Sequence, residues 1–356
     1  MTQDQERSST EPPPSTRITD VAALEVYLGE PSVGARLKVI DHVDEGAAHW
    51  IAVSPLAFLA FGAGSAHGAS AEPVAISLAG GTPGEVAARV DPGRVRMALN
   101  AIDDPGLATV GAPISTLFLV PGVGETLRVN GRVAEMDARS LVIDVDECYV
   151  HCAKALIRSS FWQAAPRVDA PDTLAGFVPE SAFFALASFD GGTGADISPK
   201  GDPAGSMIRL AGDRLTYAER PGNRRADGLR NILAQPRVAA LALIPGTDRV
   251  AVMTGEASIV TDEAQRAEWT VAGKAPVLVT SIALRAAAVR RSAALARAEL
   301  WPVRPPADLP SGARMLVNHI TINRDRSEAA EQLRAALAVP GTMEKNLADG
   351  YRTRLY

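Results

Sequence analysis

Cysteine and an excess of positive charge are both lacking in this sequence of 356 residues. Its two cysteines, Cys148 and Cys152, exclude a disulfide scaffold, and nothing indicates an oxidising compartment. With 36 Lys and Arg against 41 Asp and Glu, the net charge of −5 attracts neither nucleic acid nor an anionic membrane. No apolar run approaches the length of a membrane span, since Ser54 and Pro55 interrupt the longest candidate, Trp50–Phe61. We therefore expect a cytoplasmic protein with no nucleic-acid or membrane partner.

Several catalytic and metal-binding motifs are also missing. No Gly-x-Gly-x-x-Gly stands between a strand and a helix, so a Rossmann dinucleotide site is not supported. No Ser/His/Asp arrangement is evident, and Cys152 lacks an identifiable partner base for nucleophilic catalysis. Cys148, His151 and Cys152 offer three metal ligands on one short stretch but no fourth ligand. The sequence therefore predicts no metal site, and plain packing remains an alternative for this stretch.

The length and the 47% hydrophobic content are enough for two domains with real cores. The polar, Pro-rich residues 1–18 are predicted to be a disordered leader. Residues 19–165 and 181–304 then form two domains, joined by a Pro/Asp-rich linker at 166–180. Residues 305–356 form a helical extension that is expected to pack back onto the domains and carries no recognisable chemistry.

The two halves of the chain show an internal repeat. Phe61–Ser70 matches Phe189–Ser198, and LFLVPG ending at Gly122 matches LALIPG ending at Gly246. Strands, glycine turns and a Pro-Gly turn recur in the same order in both halves. Chance similarity of Gly/Ala-rich turns is the alternative, but it does not account for the shared order. The sequence thus predicts a mainly β fold with helices, built from two tandem β domains of one kind.

Ala195–Arg225 collects cations among glycines and prolines in a chain that is acidic overall. A helix is predicted at Arg224–Gln235, with Arg224 and Arg225 at its start. A helix N-terminus beside paired guanidinium groups favours a phosphate dianion, and Ser198 and Lys200 would add two more donors. The alternative is a solvated helix face in which the arginines pair with Asp227.

These residues carry a family resemblance. Phe184–Val238 resembles the FMN-binding split-barrel proteins of the pyridoxamine 5′-phosphate oxidase superfamily, through ALASFDGGTGADISPKGDPAG and RLTYAERPGNRRADGLRNILAQPRVAAL. The family's Gly-Ser-Arg-Lys-like turn reads Gly-Asn-Arg-Arg here, so the charge is kept and one hydroxyl donor is lost. The resemblance implies that the flavin ring passes close to Asp196–Ile197. It implies that the phosphate and ribityl chain are bound by residues of the strand end and the turn: Ser198, Lys200, Asn223, Arg224 and Arg225.

The first half resembles another part of the same superfamily. Gly124–Arg132 and His151–Trp162 are similar to the closing strand and C-terminal segment of one subgroup. The resemblance implies that the first domain covers the flavin with side chains from both segments: Arg128, Asn130, His151, Lys154, Arg158 and Trp162.

Each repeat has site residues that the other repeat lacks at the corresponding positions. Glu72 of the first repeat falls at the position of Lys200, and a glutamate facing a phosphate is unfavourable. The second repeat has Val252 over Arg128 and a predicted Ala/Arg helix, Arg285–Ala298, where the first has His151–Trp162. Split-barrel families bind flavin at a two-fold dimer interface, so two split β-barrel domains in tandem would form that dimer within one chain. We expect an intrachain pseudo-dimer with one FMN, as a monomer or a further homodimer.

The resemblance implies an FMN-dependent oxidoreductase that acts on a small molecule. Pyridoxamine phosphate itself is not expected as substrate, because its phosphate-binding set and the usual C-terminal Arg-x-His motif are not found. Two alternatives remain: a reductase that uses the deazaflavin F420 on the same barrel, and a flavin-binding protein without catalysis. No catalytic residue is predicted.

Overall fold

The computed structural model describes residues 16–62, 74–192, 194–222 and 224–356. The strands are β1 (Arg17–Ile18), β2 (Leu56–Gly62), β3 (Val74–Gly80), β4 (Ala87–Asp91), β5 (Arg94–Ala98), β6 (Pro113–Leu119), β7 (Thr126–Met136), β8 (Ser140–His151), β9 (Phe183–Phe189), β10 (Ala195–Gly201), β11 (Arg209–Ala211), β12 (Arg214–Glu219), β13 (Arg237–Leu243), β14 (Arg249–Val260) and β15 (Leu278–Arg291). The α-helices are α1 (Val21–Leu28), α2 (Val33–Leu37), α3 (Glu45–Val53), α4 (Lys154–Arg158), α5 (Leu174–Glu180), α6 (Asp227–Ala234), α7 (Glu263–Ala267), α8 (Ala293–Ala298), α9 (Gly312–Ile322), α10 (Glu328–Leu337) and α11 (Thr342–Thr353).

The strands form two antiparallel sheets with the same strand order. In the first sheet the order is β3-β2-β6-β7-β8-β5-β4, and in the second it is β10-β9-β13-β14-β15-β12-β11. Each strand of the first sheet therefore has a counterpart at the same place in the second, and β1 adds to the second sheet by pairing with β14. The predicted fold class, mainly β with helices and two β domains in tandem, is confirmed.

Strand β2 shows why the central strands are apolar without alternation. Successive side chains of a strand point to opposite faces. Phe58 lies in a core shared by both sheets, whereas its neighbour Leu59 lies in a core that belongs to the first sheet alone. From the second sheet, Phe183 and Leu241 enter the shared core. The two sheets are thus held face to face by apolar side chains.

Three helix predictions need correction. Only the second part of the predicted helix Arg285–Ala298 is helical, as α8, because β15 pairs with β14 as far as Arg291 and this pairing overrides the helix propensity of alanine. His151 ends strand β8, so the helix in His151–Trp162 is only α4. Helix α6 begins at Asp227 instead of Arg224, after a turn in which two residues have positive φ.

Segments outside the two sheets pack across the predicted domain limits. Arg17 and Ile18, inside the predicted leader, pair with the second sheet, and residues 1–15 lie outside the described part. Leu24 of α1 and Phe177 of α5, a helix within the predicted linker, both enter the core of the second sheet. Met315 of α9 enters the core of the first sheet. Across the described ranges, no helix is both long enough and apolar enough to cross a membrane.

Candidate functional site

A cavity of about 340 Å³ lies where the first repeat meets the second. The first repeat contributes β8 and α4, and the second contributes β10, β12 and the turn before α6. This volume is in the usual range for small-molecule sites. The polar residues around the cavity are Arg128, Tyr149, His151, Cys152, Lys154, Arg158, Ser198, Lys200, Glu219, Arg220, Arg224, Arg225 and Asp227.

The backbone of β10 forms one wall and lies directly against the first repeat. A Cβ atom on Gly201 would overlap the carbonyl oxygen of Ala155 in α4. Only glycine allows this approach, which brings Ser198 and Lys200 beside the residues of α4. The Nζ atom of Lys200 forms an ion pair with Glu219 at 2.6 Å.

The turn before α6 forms the opposite wall. Arg224 and Ala226 have φ values of 61° and 55°, which break the helical path and separate Arg224 from α6. The N-cap of α6 makes no side-chain hydrogen bond. A Cβ atom on Gly228 would lie 3.2 Å from the hydroxyl of Ser198, so glycine lets this hydroxyl approach the first turn of the helix. The first turn of α6, which has no side-chain cap, and Arg224 therefore face one space.

Arg128 connects the two repeats behind the cavity. Its Nη1 atom donates to the hydroxyl of Tyr149 at 2.7 Å and to Asp196 at 3.1 Å, and its Nη2 atom donates to the carbonyl oxygen of Ile197. Asn130 also donates to Asp196, at 3.1 Å. Asp196, Ile197 and Asn130 do not line this cavity but support its wall, and Asp196 and Asn130 border a separate cavity.

Three buried nitrogen atoms of residues that line this cavity have no hydrogen-bond partner among the described residues. They are Nδ1 of His151, Nε of Arg128 and Nη2 of Arg220. Burial, together with the nearby charges of Arg128, Lys38 and Lys200, holds the pKa of His151 well below its usual range, so the imidazole is neutral. Buried polar atoms are normally satisfied, and the exceptions point to a ligand or water.

The cavity is strongly positive. Seven cationic side chains and two carboxylates line it. Arg225 is neutralised by Asp227 at 2.7 Å. Lys154, Arg158 and Arg224 have no ion-pair partner among the carboxylates that the structure describes. The excess positive charge therefore favours an anionic ligand.

The residues after α11 contact two of the cationic residues that line the cavity. Lys154 and Arg158 donate to the carbonyl oxygens of Arg354 and Leu355, respectively. The ring of Tyr356 lies 5.3 Å from the guanidinium carbon of Arg158, in cation–π contact. No pattern in the sequence of residues 305–356 indicated this contact, because most of its hydrogen bonds are accepted by backbone carbonyl oxygens, which every residue has.

The structure thus brings most of the predicted site residues together. Those that line the cavity are Arg128, His151, Lys154, Arg158, Ser198, Lys200, Arg224 and Arg225. Trp162 does not: its Nε1 atom donates to the carbonyl oxygen of Val123 at 2.6 Å, and its ring packs on Phe161. Asn223 lies outside the described residues. No group of three His, Cys, Asp or Glu side chains in the described ranges is placed to hold a metal ion.

Sequence reasoning missed Tyr149, Glu219 and Asp227 as cavity residues. Tyr149 stands two residues before His151 on β8, so both side chains point to the same face. A strand assignment for residues 148–151 would have revealed this pair.

The second repeat matches a known family. The sequence model of pyridoxamine 5′-phosphate oxidase matches residues 170–296. The match covers about a third of the chain and includes Ser198, Lys200, Arg224 and Arg225. It ends before α9 and does not extend to the first repeat. No curated protein matches the chain.

Solved structures of bacterial proteins give weaker matches. HupZ of Group A Streptococcus is 18% identical over 31% of this chain and 86% of its own, with a TM-score of 0.27. A variant of HupZ with a single substitution is 17% identical over 32% and 93%, with a TM-score of 0.26. General Stress Protein 26 of Bacillus anthracis str. Sterne is 14% identical over 32% and 92%, with a TM-score of 0.24. TM-scores this low support no inference about function.

Proposed function

We propose that this chain is an FMN-dependent oxidoreductase that binds one flavin in the cavity between its repeats and acts on a small molecule. The observation that carries the proposal is the cavity itself, which combines cations without ion-pair partners and three buried nitrogen atoms without hydrogen-bond partners among the described residues. FMN carries a phosphate dianion and a ring with several hydrogen-bonding atoms, so the residues present fit it. The family match of residues 170–296 supports a flavin-type ligand.

The second repeat would hold the phosphate. Arg224 has no ion-pair partner among described residues, and the hydroxyl of Ser198 lies beside the uncapped first turn of α6. Guanidinium, hydroxyl and backbone N–H groups together favour a dianion. Lys200 and Arg225 would contribute less, because Glu219 and Asp227 already neutralise much of their charge.

The first repeat would face the other end of the ligand. The neutral imidazole of His151 can accept or donate one hydrogen bond at Nδ1, depending on its tautomer. Lys154 and Arg158 would stabilise negative charge on a bound flavin, since backbone carbonyls are their described partners. When bound, FMN would supply two-electron redox chemistry, while the protein positions it and tunes its charge.

The ligand that co-purifies with the protein tests this proposal. We expect an FMN absorbance spectrum, the FMN mass, and one flavin per chain. A bound F420 would favour the deazaflavin alternative, and a ratio of two flavins per chain would contradict the shared site. A bound flavin that no nicotinamide reduces and no substrate oxidises would indicate a binding protein instead of an enzyme.

Arg224→Glu tests the phosphate assignment. We expect FMN affinity to fall at least tenfold, because a charge-assisted hydrogen bond contributes about 1.5–3 kcal/mol and a carboxylate would repel the phosphate. Arg96→Glu, at an exposed position on β5 of the other repeat, is the matched charge-reversal control and should retain the flavin. Equal retention by both variants would refute the assignment.

A further inference from the structure

The shared strand order places a second site on the opposite side of the molecule. It lies where β3 of the first repeat meets the end of β15 and α8 of the second. A Cβ atom on Gly80 would overlap the carbonyl oxygen of Ala294, as one on Gly201 would overlap that of Ala155. Gly80 therefore corresponds to Gly201, each being the last residue of its strand.

The correspondence extends to the residues of the phosphate site. Three residues before these glycines, Ser77 takes the place of Ser198. Ala79 then corresponds to Lys200, and Glu72, expected at that position from the sequence, lies outside the described residues. The first repeat thus keeps the hydroxyl of the site and loses its lysine.

The turn that carries Arg224 also has a counterpart. Arg297 donates to the carbonyl oxygen of Ala101 at 2.8 Å, and Arg158 donates to that of Pro221 at 3.0 Å. Ala101 therefore corresponds to Pro221. Three residues further on, an aspartate, Asp104, takes the place of Arg224.

The residue that corresponds to His151 in the second site also differs from it in charge. His151 pairs with Thr126, five residues before Gly131, and Arg290 pairs with Val250, five residues before Gly255. Both glycines sit at the bulge of their strand pair. Arg290 thus stands in the second site where the neutral His151 stands in the first.

The hydrogen-bond donors of this second site donate to two adjacent carboxylates. Asp104 accepts hydrogen bonds from the hydroxyl of Ser77 at 2.9 Å and from the guanidinium of Arg290. Asp103 accepts from the hydroxyl of Ser292 at 2.5 Å and from the backbone N–H of Ala294 at 2.7 Å. Donors of both repeats thus converge on these carboxylates, as the donors of the first cavity would converge on a ligand.

We propose that this is a second anion-binding site whose ligand has been replaced by the side chains of Asp103 and Asp104. The chain then binds one external anion, in the first cavity, because the carboxylates of Asp103 and Asp104 already fill the second site. That the external anion is FMN rests on the proposed function. That Asp103 and Asp104 stand in for an anion at the second site does not. A bound anion at the second site would need the carboxylates removed, since like charges repel.

The test is the double variant Asp103→Ala/Asp104→Ala, titrated with inorganic phosphate. We expect the number of phosphates bound per chain at saturation to rise by one relative to the unaltered chain. A further substitution, Arg290→Ala, should abolish the added site. The control Asp248→Ala removes the partner of the exposed Arg291 and should add none.

An unchanged phosphate count in a folded double variant, verified by its cooperative thermal transition, would overturn the proposal. If the double variant does not fold, the conservative double variant Asp103→Asn/Asp104→Ser removes both charges but keeps polar side chains, and it is titrated in the same way, with the same two outcomes. The two proposals fail separately: if the unaltered protein binds no flavin but the variant gains a phosphate site, only the proposed function is wrong.

Discussion

Arg128 is a charged residue that is only 1% exposed, and its hydrogen bonds join the two repeats. Removing a charge from water is costly unless geometry and hydrogen bonds compensate for it. Tyr149 and Asp196 provide that compensation on one side, whereas Nε remains without a described partner on the cavity side. The residue therefore has a structural and a ligand-facing role at once.

We expect Arg128→Met to lower the free energy of unfolding by about 3–5 kcal/mol, because it leaves the charge of Asp196 buried and unpaired. Urea denaturation followed by circular dichroism measures this change. Arg96→Met, at an exposed site, should change stability by about 0.5 kcal/mol or less. Adding Asp196→Asn to Arg128→Met should recover part of the loss. If both single arginine variants are equally stable, the Arg128 ion pair does not hold the repeats together.

Among elements, the decisive contact is between strand β10 and helix α4. Local sequence is sufficient to specify β9, an apolar run of β-formers between turns, and β12, a short alternating run. It does not predict the full length of β8 or β15, because their last residues are strands only through pairing with β7 and β14. Cross-strand pairing depends on tertiary contacts, and alanine-rich runs have no strand propensity of their own.

Gly201→Ala should destabilise the protein by about 1–3 kcal/mol, because the added methyl group forces β10 away from Ala155. Thermal or urea unfolding measures the loss. Gly106→Ala is the matched control, since a Cβ atom there would meet nothing within 4 Å. An unaffected Gly201→Ala protein would show that β10 and α4 are not in the close contact described.

At the scale of the whole molecule, residues 354–356 break the correspondence between the two repeats. In the second site, Arg297 donates through Nε to the carbonyl oxygen of Gly80 at 3.0 Å. In the first site, Arg158 instead donates through Nε to Leu355, at 2.8 Å. The segment after α11 thus contacts the cationic residues of one site and has no counterpart among the described residues at the other.

Tyr356→Ala should increase the dissociation rate of bound flavin by about fivefold to thirtyfold, since each cation–π contact contributes about 0.5–1 kcal/mol and the ring lies near both Arg158 and Arg220. Transfer of the flavin to an excess acceptor protein, followed by fluorescence, measures this rate. Tyr27→Ala, a half-exposed tyrosine on α1, is the control. An unchanged rate in Tyr356→Ala would mean that the tail does not cover the ligand.

Local sequence patterns determined the mainly β fold, the two tandem repeats and the cluster of donors from Ser198 to Arg225. These follow from apolar periodicity and from the positions of glycine, which act over a few residues. Only the tertiary structure decided which cations remain unpaired, that Trp162 lies outside the cavity, and that Asp104 stands where Arg224 stands in the other repeat. Such facts depend on contacts between residues far apart in the chain, such as Arg128 with Asp196 and Arg158 with Leu355. Residue type alone does not specify those partners, because a charge is free or neutralised only by what the folded chain places beside it.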